Sequence, residues 1–294
     1  MNYLFRLFNK EVFKFVVILL ISWILFSCIG YIIIFLYHGH ISFDKNDVIC
    51  IKVLQACNSI GIFIIPPLLY IHLRKKSKLR FFKLHKIKWS LLSYCFLIVI
   101  FMALSNSFLE FLNKQMPIPN DLSFLHDLAT ESKNIMKLIL HPSGIYHLLS
   151  NILVIAIIPS VGEELFFRGI VLTYLRKYMG VSLSIFISSF MFSLLHLNIE
   201  AFLPILFSGC ILGYIYVYSD NLSLCILIHF INNTLSILMY YLFETELQEQ
   251  TPHWSMWIIG FLGLFTLMIY LPKLIDKKAK PKMGAGGETR TLTP

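Results

Sequence analysis

Eight stretches of this chain are apolar for long enough to cross a bilayer, and no other feature narrows the available folds as far. They run near Phe15 to Tyr37, Val53 to Leu73, Leu91 to Leu112, Ile145 to Tyr178, Val181 to Leu197, Phe202 to Tyr218, Leu222 to Phe243 and Trp254 to Leu271. About 17 to 25 apolar residues make one helical span, and without water only helices or closed barrels satisfy the backbone. The runs lack the two-residue alternation of barrel strands, so the expected fold is all-α: a polytopic helical membrane protein with about eight transmembrane helices. Composition agrees, because a chain that is 57% hydrophobic and 14% charged has too little polar surface to cover a soluble core.

The net charge of +9 is a topology signal rather than a nucleic-acid patch, because the basic residues flank apolar spans. Arg74, Lys75, Lys76, Lys78, Arg80, Lys83, Lys86 and Lys88 follow the second span, Arg176 and Lys177 the fourth, and Lys273, Lys277, Lys278 and Lys280 the last. The opposite ends carry Asp44, Asp47, Asp121, Asp127, Glu131, Glu200, Glu244, Glu246 and Glu249. Both termini are therefore expected on the cytoplasmic side.

Along the chain this gives a cytoplasmic N-terminus (1–14), three helices (15–112), an outer loop (113–144), a helical core (145–271) and a basic, disordered tail (272–294). The first apolar run is too long for a signal-peptide core and reads as a retained span. Leu125, Leu128, Ile135 and Ile139 in the outer loop have helical spacing and predict a short amphipathic helix. Six scattered cysteines without a CxxC pair argue against disulfides and a cysteine metal cage.

Chemistry concentrates in the core. A carboxylate at membrane depth costs roughly 2.5 to 3.5 kcal/mol, so the adjacent Glu163 and Glu164 require a reason. Arg168 lies at i+4 from Glu164, on the same helix face, whereas Glu163 points about 100° away. The bland reading places both glutamates at the water boundary. Against it, an apolar run, Ile170 to Leu172, resumes after Arg168, and other polar residues converge on the same depth; separately, Pro159 predicts a kinked helix, or a span followed by an interfacial helix, just before them.

If 178–181 is the turn of a helical hairpin, Glu163 and His196 stand at similar depth. His229 and Asn233 share one face of the seventh span at i,i+4. A tilted or broken sixth helix near Pro204 and Gly209 must bring His229 level with His196. A carboxylate, two imidazoles and an amide supply a base, an electrophile or ligand set, and oxyanion donors, the parts for hydrolysing an amide bond. Neither GxSxG nor HExxH is present, which ranks serine and soluble zinc-protease chemistry lower.

Three ordered motifs, EExxxR at Glu163 to Arg168, FxxxH at Phe192 to His196 and HxxxN at His229 to Asn233, resemble the CAAX protease and bacteriocin-processing (CPBP, or Abi) family of intramembrane endopeptidases. The resemblance implies that Glu163 activates a water, that His196 assists, and that His229 and Asn233 stabilise an oxyanion. Glu164 and Arg168 would hold these groups in place. It also implies two cofactor readings: zinc on Glu163, His196 and His229 with one position for water, or a metal-free, glutamate-driven hydrolysis. The expected partners are the lipid bilayer and a membrane-associated or lipidated peptide, in a bacterial cytoplasmic membrane. The competing classes are a non-catalytic immunity or scaffold protein with the same fold, and a transporter using the charges as an ion path.

Overall fold

The computed structural model describes residues 10–39, 46–74, 81–116, 123–243 and 254–274. Nine helices carry the described chain. They are α1 (Lys10–His38), α2 (Val48–Leu73), α3 (Leu92–Lys114), α4 (Phe124–Leu140), α5 (Ile145–Leu175), α6 (Val181–Leu195), α7 (Phe202–Ser219), α8 (Leu222–Phe243) and α9 (Trp254–Leu274). No strand occurs among the described residues. The expected tail beyond Leu274, together with Lys75, Lys76, Lys78, Arg80, Asp44, Asp121, Glu244, Glu246 and Glu249, lies outside them.

Seven helices are long and apolar enough to cross a membrane, and α6 is a shorter apolar helix. The chain is an integral, multi-pass membrane protein. Outward faces of α1 and α9 are rich in exposed Ile21, Ile24, Leu36, Leu262 and Phe265, a surface that needs lipid rather than water. Inside, Ile98, Met102, Leu172, Ile215, Leu224 and Ile228 form the main core between α3, α5, α7 and α8. The segment between α3 and α5, expected as an outer loop, contains α4, which buries Ala129, Ile139 and Leu140.

At 15 residues α6 is about 22 Å long, less than the ~30 Å of hydrocarbon. A helix of this length that starts at one face ends inside the bilayer, and His196 is the residue that caps it. The sixth span expected from the sequence, α7, is unbroken from Phe202 to Ser219. Pro204 falls in its first turn, where a missing N–H is tolerated, and Gly209 serves close packing instead of a break. The short α6 therefore ends at His196, and α7 carries no fracture near Pro204 or Gly209.

The fourth span is one continuous run rather than a span plus an interfacial helix. Two π-helical segments, Ile152–Ile157 and Leu165–Leu172, lie within it. The first leads into Pro159 in the opening turn of Ile158–Glu164, so the wider turn absorbs the proline. The same device precedes Pro66 and Pro67 in α2, where Ile60–Ile64 is π-helical.

Candidate active site

Glu164 is the geometric centre of the site. It closes the α-helical segment of α5, is fully buried, and its Oε1 accepts from Arg168 Nη1 at 2.8 Å, one turn along the helix. The same oxygen accepts from His229 Nδ1 on α8 at 2.9 Å. Arg168 also donates from Nη2 to the Gly209 carbonyl on α7 at 3.0 Å, and its guanidinium lies 5.0 Å from the Phe192 ring centroid on α6. One buried ion pair thus fixes α5, α6, α7 and α8 together through Oε1, while the buried Oε2 of Glu164 has no hydrogen-bond partner among the described residues.

That clamp depends on close backbone approach. A Cβ on Gly209 would meet the Ser189 Cβ at 2.9 Å, and one on Gly162 would meet the Phe63 Cβ at 2.9 Å. The first small residue brings the α7 carbonyl within reach of Arg168. The second seats α5 against α2 immediately before the paired glutamates.

Hydrogen-bond chemistry fixes which imidazole nitrogen is available. A carboxylate only accepts, so His229 carries its proton on Nδ1 toward Glu164 and turns Nε2 the other way. That Nε2 lies 3.8 Å from Glu163 Oε2. The separation is longer than a direct hydrogen bond, yet one water can touch both atoms. A carbonyl likewise only accepts, so His196 donates from Nδ1 to Phe192 O at 2.8 Å and leaves its own Nε2 uncommitted. Phe192 stands edge-to-face against both rings, with centroids 4.7 Å from His196 and 6.1 Å from His229.

His196, His229 and Asn233 line one cavity of about 140 Å³, together with Phe192, Pro204 and Met102. The volume holds several waters or one peptide group. Asn233 donates to Ile155 O at 3.2 Å, which ties α8 back to α5. Glu163, whose side chain is 13% exposed, is not part of the cavity wall and meets it through His229.

Three polar cavity residues were not singled out from the sequence: Asn106, Ser208 and Asn232. Asn106 donates to Ser208 Oγ at 2.9 Å, and its buried Oδ1 has no hydrogen-bond partner among the described residues. The available signal was an amide inside the apolar run of α3, which at membrane depth marks function as a charge does. Asn232 donates to Asn233 Oδ1 at 3.4 Å and so orients the amide beside it.

The zinc reading requires Glu163, His196 and His229 to converge. Among the described residues, the only group of three His, Cys, Asp or Glu donors within 4.8 Å of one another is His38, Asp47 and Cys50, at the α1–α2 turn. In this arrangement the three site residues do not fit a three-ligand centre, and the chemistry below runs through protein groups and water.

A bundle of membrane helices enclosing an acid, two imidazoles and amides has the make-up of an intramembrane hydrolase. Residues 145–235 match the family model for type II CAAX prenyl endopeptidase Rce1-like proteins, the family that the three motifs resemble. The match spans α5 through most of α8, about a third of the chain, and supports a CAAX-type protease. No curated protein and no solved structure matches the chain.

Proposed function

We propose that this protein is an intramembrane endopeptidase that hydrolyses a peptide bond in a membrane-associated or lipidated peptide, using a water activated by Glu163. The observation that carries the reading is His229 held between two carboxylates, its Nδ1 fixed by Glu164 and its Nε2 facing Glu163 at the cavity.

Glu163 Oε2 takes a proton from a water that also contacts His229 Nε2. The hydroxide attacks the carbonyl carbon of a peptide bond lying in the cavity. The carbonyl oxygen gains negative charge in that step, and Asn233, oriented by Asn232, is the amide donor beside it. As the C–N bond breaks, protonated Glu163 returns its proton to the departing amine, and His196 Nε2, a further polar group on the wall, accepts a hydrogen bond from that amine. Glu164 and Arg168 touch no substrate and act by holding His229 in one tautomer and position.

The cytoplasmic membrane of a bacterium, with both ends of the chain on the cytoplasmic side, is the setting this reading favours. Basic Arg74, Lys83, Lys86, Lys88, Arg176, Lys177 and Lys273 at one set of helix ends, against Asp47, Asp127, Glu131 and Glu200 at the other, support that orientation.

The test is cleavage of a lipidated, membrane-bound peptide by the full chain in liposomes, with products read by mass spectrometry. Glu163→Gln should lower the rate at least about 10²-fold, within the range for losing a positioned base. Equal rates for wild type and variant would refute the assignment of Glu163.

A further inference from the structure

A second site lies away from the catalytic cavity, in a groove of about 490 Å³ between the N-terminal halves of α2 and α5. Its floor and walls are apolar, with Val53 and Ala56 on one side and Val154 on the other. Midway along the α2 side stands Lys52, only 9% exposed, one turn inward of Val48 and Ile49, which also line the groove. Tyr146, 87% exposed, lines the same groove and is the kind of side chain enriched at membrane–water boundaries.

Lys52 is under-neutralised. Its Nζ donates to Ser150 Oγ at 2.7 Å and lies 3.3 Å from His147 Nε2. That imidazole nitrogen is 2.7 Å from the Ile139 carbonyl, which only accepts, so Nε2 carries the proton and has no lone pair for the ammonium. Among the described residues Ser150 is left as the sole side-chain acceptor. No carboxylate pairs with Lys52 among the described residues, although a buried cation normally finds one.

Depth fits an amphiphile. The 26-residue α2 is about 39 Å long, so its ends project past a ~30 Å hydrocarbon core. Lys52, one turn into the helix, stands about level with the edge of the hydrocarbon, and the groove then runs inward past Val53 to Ala56. A cation near headgroup level within an otherwise apolar trough matches an anionic headgroup on an acyl chain.

We infer that this groove binds an anionic phospholipid, its phosphate on Lys52 beside Ser150 and one acyl chain along Val53, Ala56 and Val154. The lipid supplies the counter-charge that the protein withholds and spans α2 and α5, the helix that carries Glu163. The inference is independent of the proposed peptidase activity, because it concerns a different cavity and is read without substrate.

The experiment titrates detergent-solubilised full-length protein with dioctanoyl-phosphatidylglycerol, dioctanoyl-phosphatidylcholine or inorganic phosphate, reading retained lipid by native mass spectrometry and the thermal unfolding midpoint. Wild type should retain phosphatidylglycerol at tenfold or more lower concentration than phosphatidylcholine and unfold at a higher temperature with it, whereas phosphate alone should give no shift. Lys52→Met should lose the preference while still unfolding cooperatively, and Lys52→Arg should keep it. Equal responses of wild type to the two lipids would overturn the inference without reference to any variant. So would a preference that survives in Lys52→Met, or a response to phosphate as large as that to phosphatidylglycerol.

Discussion

Replacing Arg168 by methionine isolates the clamp that holds the site in register. The guanidinium is buried, 2.8 Å from Glu164 Oε1, and both side chains are almost fully shielded from bulk solvent. At an effective dielectric of about 20, unit charges at this separation attract by about 6 kcal/mol. Relaxation and protonation of the abandoned carboxylate recover part of that, and removing one partner of a buried pair costs about 3–5 kcal/mol. The variant should therefore lose about 3–5 kcal/mol of stability in a reversible unfolding titration in mixed micelles. Glu164→Gln with Arg168→Met removes both charges, and most of the loss should return, giving a double-mutant coupling above about 1.5 kcal/mol. Activity should stay low in the double variant, because a Gln at position 164 no longer offers a charged acceptor to fix the His229 tautomer. In hydrolase triads of the same logic a wrong tautomer costs about 10⁴-fold in kcat. A coupling near zero would refute the clamp, since it would mean that the two charges are compensated elsewhere.

Gly209→Ala should destabilise the protein by about 1–3 kcal/mol and lower activity, because its Cβ would stand 2.9 Å from that of Ser189 and push α7 off α6; unchanged unfolding would mean that this contact yields freely. Asn106→Leu should raise KM or lower kcat about tenfold while leaving the unfolding midpoint nearly unmoved, since its unpartnered Oδ1 sits at the cavity where a substrate N–H can bind it. Asp47 caps α2 by accepting from Cys50 N and Ile49 N, and these hydrogen bonds, that from Cys50 foremost, hold its carboxyl below the usual range. The cap's contribution is then full above the ordinary carboxylate pKa and lost as pH falls through the lowered folded value, so Asp47→Ala should cost about 1 kcal/mol near neutrality and nothing in strong acid, as read by unfolding at two pH values.

Much of this architecture is legible in the sequence for simple reasons. Hydrocarbon demands uninterrupted apolar runs, so the span positions follow from length alone, and the Glu164–Arg168 pair follows from helical spacing because both groups sit on one helix. Contacts between helices are another matter. That His229 reaches Glu164 with one nitrogen and faces Glu163 with the other depends on how far α8 slides along α5. That offset is tied by Asn233 on the Ile155 carbonyl, and the glycine approaches at 162 and 209, which seat α5 on α2 and α7 on α6, carry no periodic signal. Bringing His229 level with His196 calls, on sequence spacing, for a tilted or broken α7; the structure has an unbroken α7 beside a short α6 that ends at His196. Asn106 and Lys52 lie on α3 and α2, outside the motif-bearing helices, and their importance appears only once a cavity is seen beside each.

The central claim is that Glu163 and His229 act on one water at the buried cavity, with no covalent enzyme intermediate. It is tested most directly by single-turnover cleavage in ¹⁸O-labelled water with hydroxylamine present, analysing the new carboxyl terminus by mass spectrometry. The account predicts one ¹⁸O in that carboxylate, no hydroxamate, and neither product from Glu163→Gln. A hydroxamate would reveal an acyl-enzyme, and undiminished labelling with Glu163→Gln would remove the glutamate from the reaction; either result contradicts the claim.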